Sequence, residues 1–156
     1  MDKEKIKVCF VCLGNICRSP MAELVFADKT EKRGIADRFE ISSRGTSDEE
    51  EGNRIYPPAA AELARHGING THIARRLTAA EVEASDYVLV MDGKNLRDSY
   101  LITNGRFADK ISKLGAYSGV GDIIDPWYSR DFSRTYAEID VACDAFLSAL
   151  ERDGRI

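Results

Sequence analysis

Residues 12–19 read Cys-Leu-Gly-Asn-Ile-Cys-Arg-Ser, which sets a thiol and a guanidinium at opposite ends of a short loop. A free cysteine, with a pKa near 8.5, is only about 3% thiolate at neutral pH; a helix N-terminus and a nearby cation lower that pKa by several units. Arg18 offers a planar fork that matches phosphate oxygens. Gly14 is expected to let the backbone between them fold tightly, so that successive N–H groups form an anion nest. The field that would ionise Cys12 would therefore also cradle a phosphate dianion. Farther along stand Asp125-Pro126-Trp127-Tyr128. A general acid must keep its proton near neutral pH, through desolvation or a neighbouring negative charge. The two aromatics and a bound phosphate would supply both, although by spacing alone Asp125 reads equally well as an Asp-Pro turn.

These residues need a scaffold, and the chain predicts one. Ile6 to Val11 is a β-rich run long enough for a buried parallel strand. Pro20 suits the first turn of a helix through Ala27, with Ser19 as its N-cap. The loop therefore joins a strand's C-terminal end to a helix N-terminus, where open α/β sheets place ligands and the helix dipole favours anions. Phe39 to Ser43 alternates as a second strand. A helix from Ala59 to His66 closes on Gly67 at C′, and Thr78-x-x-Glu81 is a capping box. Tyr87 to Met91 is a third strand with Asp92 capping the helix behind it, and Ile111 to Leu114 a short fourth. The 125–128 stretch reads as a loop before a final helix at about 133–151, apolar at Ile139, Cys143, Phe146, Leu147 and Leu150. Strands alternating with helices predict an open α/β sheet.

Composition narrows the class. The 156 residues, 44% hydrophobic and 31% charged, suit one globular domain spanning 1–156. A net charge of −4 gives no basic excess for nucleic-acid binding. No apolar run approaches the roughly 18 residues a membrane span needs, and the N-terminus, charged with both signs, does not read as a leader. Three of the four cysteines (Cys9, Cys12, Cys17) cluster at the first strand instead of spreading as a disulfide framework, so reduced thiols and a cytoplasmic location are expected. Their spacing is not that of a structural zinc site, and no metal is expected. Gly119-Val-Gly121 lacks the third glycine of a dinucleotide loop, and no G-x-S-x-G elbow is present. Cys143 reads as core, His66 as a helix-end cation or solvated ring, and Glu49-Glu50-Glu51 as a solvated loop.

The run Val8 to Glu23 resembles the N-terminal motif of the low-molecular-weight protein tyrosine phosphatases. The likeness extends to Ser43/Gly45-Thr46, the His72-to-Thr78 segment, Met91-Asp92 and Asp125-Pro126-Trp127-Tyr128. It implies a single three-layer flavodoxin-like domain with a four-stranded parallel sheet flanked by helices. It also implies cofactor-free hydrolysis of phosphotyrosine proteins or small aryl phosphates through a phosphocysteine, by a monomer or weak dimer. Carried over by position, Cys12 is the nucleophile, Arg18 the phosphate clamp and Asp125 the acid and then base. The phosphate site comprises Leu13, Gly14, Asn15, Ile16, Cys17 and Ser19, with Trp127 and Tyr128 joining Leu13 as apolar walls. Ser19 steadies the thiolate, and Asn15 is held left-handed by a network with Ser19, Ser43 and His72. Many members carry an aromatic residue where Glu49 stands, and Arg44 replaces a small residue, which could change the charge near the pocket. Ile16 fits flat aryl phosphates, although phosphoarginine stays open as a substrate class.

Two other classes share parts of this pattern. A thiol reductase sharing this loop needs a second cysteine pair in mid-chain, and residues 18–142 contain no cysteine. Cys9 and Cys12, three apart on a strand, face opposite sides about 10 Å apart, too far for a disulfide. Cys17 remains a candidate for a reversible bridge to Cys12. A purely phosphate-gripping module would need neither Cys12 nor Asp125.

Overall fold

The computed structural model describes residues 4–156. Residues 1–3, the start of the charged segment that does not read as a leader, lie outside the described residues. Strands β1 (Ile6–Cys12), β2 (Phe39–Gly45), β3 (Tyr87–Val90) and β4 (Ile111–Lys113) form one parallel sheet in the order β2-β1-β3-β4. The chain steps from β1 to one edge and then returns to build the other side. The reversal opens a crevice at the C-terminal end of β1, where Cys12 lies.

Strand alternation sorts the side chains into two layers. Val8, Phe10, Leu89 and Met91 pack beneath α1 (Arg18–Lys32), α2 (Pro57–Arg65) and α6 (Phe132–Arg152). Cys9, Val11, Val88 and Val90 pack with α3 (Ala79–Ala84) and α4 (Gly93–Ile102) on the other face. Cys9 and Cys12 therefore belong to opposite layers. The centre of the larger layer is Phe26, whose ring meets Phe10, Phe39 and Phe146 at centroid distances of 5.6, 5.2 and 5.6 Å. Cys143 is buried in the apolar stripe of α6, as its spacing predicted.

Local signals held at Thr78 and Glu81, which cap reciprocally, at Asp92, which caps α4, and at Gly67, with φ of 74° after α2. Others did not. Ser19 is not the N-cap of α1: Cys17 occupies that position and Ser19 lies inside the first turn, its hydroxyl committed to the site. Residues 126–129 are not loop but a short helix, α5 (Pro126–Ser129), capped by Asp125. Leu114 starts a 3₁₀ turn rather than ending β4. No helix among the described residues is long and apolar enough to cross a membrane.

Candidate active site

The loop 13–17 leaves β1 and turns directly into α1. Its shape comes from where its carbonyls go. Those of Cys12, Leu13, Ile16 and Cys17 accept hydrogen bonds from Thr46, Ser47, Tyr56 and Met21 at 2.8–3.0 Å. With these oxygens tied outward, the amides of Gly14, Ile16, Cys17 and Arg18 find no protein acceptor among the described residues. The result is a cup of unpaired N–H groups at a helix N-terminus, an anion site by construction. The left-handed residue that closes it is Asn15, with φ of 61°, not Gly14, whose φ is not positive. The glycine that the loop requires is Gly45, paired with Cys12 across the strands. A Cβ there would stand 2.8 Å from the Leu13 carbonyl oxygen and 3.1 Å from the Asn15 Cβ.

Asn15 is held by four hydrogen bonds that use its whole amide. Its Oδ1 accepts from His72 Nε2 at 2.7 Å and from the Arg75 N–H at 3.0 Å, and its Nδ2 donates to Ser19 at 2.7 Å and Ser43 at 3.1 Å. The Arg75 N–H fixes which end is oxygen, so His72 carries its proton on Nε2. Since Ser19 accepts from Asn15, its own proton faces two acceptors, Cys12 Sγ at 3.0 Å and the Arg44 carbonyl at the longer 3.4 Å. The Asn15 N–H also donates to that sulfur, at 3.3 Å. Ser43 donates to Glu23 Oε1 at 2.6 Å, and Glu23 lies 3.4 Å from His72 Nδ1. Burial, then Arg44 and Arg75, lowers the His72 pKa to about 4. Burial also raises the Glu23 carboxyl, against the pull of the Ser43 hydroxyl and Arg44.

The Arg18 side chain is 3% exposed. Its Nη1 donates to Asp92 Oδ2 at 2.8 Å and to the Ile123 carbonyl at 2.9 Å, and its Nη2 lies 3.5 Å from Asp125 Oδ2. Burial works to lower its pKa, but Cys12, Asp92 and Asp125 outweigh that and raise it. With Nη1 committed, Nε and Nη2 remain for a ligand. Asp92 holds the clamp while its Oδ1 caps α4 through the Asn95 N–H at 2.8 Å. Asp125 faces the same opening, its Oδ1 accepting the Trp127 N–H at 3.0 Å.

The cup is the floor of a cavity of about 180 Å³ lined by Cys12, Leu13, Gly14, Ile16, Cys17, Arg18, Asp125, Trp127 and Tyr128. Asn15, Ser19, Ser43 and His72 stand behind the floor, so every site residue expected from the sequence converges here. Burial, followed by the charges of Cys12 and Asp125, pushes the Cys17 thiol up to about 12. Trp127 packs 5.0 Å from the Tyr56 ring, and Arg130 lies over both.

Several contributors were not singled out from sequence. Glu23, Arg75, the Ile123 carbonyl, Tyr56 and Arg130 act through long-range contacts with no periodic signature. Asp92 was legible as a cap and within the family likeness, but not as the partner of Arg18. Glu49, exposed, and Glu50, half-buried, also line the mouth of the cavity, so this solvated loop belongs to the rim of the site. Arg44 is not among the cavity residues, because alternation along β2 turns it to the opposite face from Ser43, where it pairs with Glu81. His66 stands exposed at the C-cap of α2, as its place before Gly67 implied, and there it also bonds Glu62 at 2.9 Å and stacks on Tyr136 at 3.7 Å.

A family model described as low molecular weight phosphotyrosine protein phosphatase matches residues 7–156. A protein of that name from Schizosaccharomyces pombe is 39% identical over 153 residues, covering 94% of this chain and 98% of that one. The crystal structure of YfkJ from Bacillus subtilis superposes with a TM-score of 0.93 at 30% identity, covering 98% and 99% of the two chains. A structure of the YwlE arginine phosphatase, also from Bacillus subtilis, is a mutant with a phosphorylated active-site serine. It gives a TM-score of 0.86 at 28% identity, covering 96% and 99%.

Proposed function

The chain belongs to the low molecular weight phosphotyrosine protein phosphatase family, and from that premise we propose that it hydrolyses phosphotyrosine and similar aryl phosphates through a phosphocysteine on Cys12. The observation that carries the reading is the position of Cys12 Sγ at the base of an amide cup, with Arg18 beside it and Asp125 3.5 Å from Arg18 at the opening. The phosphoryl oxygens rest on the loop N–H groups and on Nε and Nη2 of Arg18, which balance charge where it accumulates. Cys12 attacks phosphorus as its thiolate, and the bond from phosphorus to the aryl oxygen breaks. Asp125 gives its proton to that oxygen, so a phenol departs instead of a phenolate. Water then attacks phosphorus, Asp125 takes its proton, and the P–S bond breaks to release inorganic phosphate. The Ser19 hydroxyl and Asn15 N–H stabilise the returning sulfur anion. No metal or cofactor enters either step. Leu13, Trp127 and Tyr128 flank the aryl ring. The molecule works in the cytoplasm as a monomer or weak dimer, with neither nucleic acid nor membrane as partner.

Turnover of an aryl phosphate in excess EDTA is the direct test. Undiminished hydrolysis is expected, and loss of activity in the chelator would end the metal-free reading. Cys12→Ser should bind vanadate or phosphate yet lose turnover by at least about a thousandfold. A variant that kept its rate would move the nucleophile elsewhere.

A further inference from the structure

Resting on that catalytic reading, we propose that a groove leading from the active-site cavity along α4 is a subsite for the polypeptide beside the phosphotyrosine, taking a cationic side chain next to the cavity and an apolar one beyond it. The groove, of about 380 Å³, adjoins the catalytic cavity, with Leu13 and Glu49 lining both. A chain whose phosphotyrosine enters the cup reaches the groove by passing over Leu13 and Glu49.

Charge and polarity vary along its length. At the near end, Asp48 and Glu49 are exposed and form no ion pair among the described residues. Glu50 adds a third carboxylate at the cavity, where Arg18 is already answered by Asp92 and Asp125, and Arg76 lines the groove against these three. The near end is thus net negative beside a bound phosphate dianion. A Lys or Arg in the substrate would relieve that field, and an acidic residue would add to it. Farther along, Lys94 and Asp98 cancel each other at 2.6 Å, leaving Leu101, 74% exposed, beside Ile102 as the apolar part of that wall. Thr46 lines the groove as well, buried and with a hydroxyl that no group among the described residues satisfies.

The test is a panel of phosphotyrosyl peptides with Lys-Leu, Ala-Ala or Glu-Glu on either side, run beside a free aryl phosphate. The proteins are the intact chain, Leu101→Ser and Asp48→Asn, each checked for an unchanged melting temperature. Lys-Leu on one side should exceed Glu-Glu there by about tenfold in kcat/KM. Leu101→Ser should lower the Lys-Leu peptide about fivefold, and Asp48→Asn should narrow the gap between Lys-Leu and Glu-Glu. Neither should alter turnover of the free aryl phosphate. A flat panel, or variants that leave the peptide values unchanged while the aryl phosphate is still hydrolysed, would overturn the groove proposal alone. No hydrolysis of the aryl phosphate by the intact chain would instead sink the catalytic reading, and this proposal with it.

Discussion

A charged side chain 3% exposed, as Arg18 is, needs its charge answered, and Asp92 answers it at 2.8 Å. Removing one partner of a mostly buried pair leaves an uncompensated charge, so Asp92→Ala is expected to cost about 2–4 kcal/mol. It should also lower kcat/KM, because Arg18 loses the contact that aims its free edge; urea unfolding and steady-state kinetics check the two effects. The pair also sets a pH dependence. Burial acts to raise the Asp92 carboxyl, but the Asn95 N–H and Arg18 reverse this and hold it below the usual range. A depressed folded pKa gives stability that is complete above the unfolded value of about 3.9 and is lost as pH falls through the folded value. Asp92→Asn should therefore lose less stability than the parent between about pH 5 and pH 3, measured as the shift in urea midpoint. At Asp125 the expectation concerns chemistry. Asp125→Asn should slow a poor leaving group by about 10² to 10⁴, and an activated nitrophenyl ester far less. Equal losses on both would take Asp125 out of the acid role.

The cup depends on two elements meeting at close quarters: the end of β1 and the end of β2. Cys12 and Gly45 are register partners, and the missing side chain at Gly45 is what lets the Leu13 carbonyl approach. Gly45→Ala would place a methyl 2.8 Å from that oxygen. The backbone must then shift, at about 1–3 kcal/mol, and the shift falls on the loop that holds Cys12. The expected outcome is a loss of kcat larger than the loss of stability would explain, read from activity under conditions where circular dichroism shows the protein fully folded. The same strand explains why neighbours have unrelated partners. Ser43 and Arg44 point to opposite faces, one towards Glu23 and the other towards Glu81.

Across the molecule, the sheet carries the site on a core whose aromatic centre is Phe26, itself on the helix that starts at the cup. Phe26→Ala should cost about 3–5 kcal/mol, lowering the urea midpoint. Activity per folded molecule should stay nearly constant, since the cup's hydrogen bonds lie at the other end of α1. A drop in kcat without a drop in stability would show that the core sets the loop's shape directly.

Sequence alone determined whatever is local. Cys12, Arg18 and the loop between them are contiguous, so their convergence needed only a strand before and a helix after. The alternation that buries Cys9 and Cys12 in different layers, the apolar stripe holding Cys143 and the Thr78–Glu81 cap are likewise short-range patterns. Tertiary structure decided the rest. Arg18 is aimed by groups 74 and 105 residues away, and Asn15 by His72 and Arg75 from a different loop. Gly45 is needed only because β2 lies beside β1, and Glu49 and Glu50 belong to the cavity only because their loop folds over Gly14. Such contacts join single atoms across the fold and leave no period in the chain, whereas helices and strands repeat their geometry every few residues and so can be read from it.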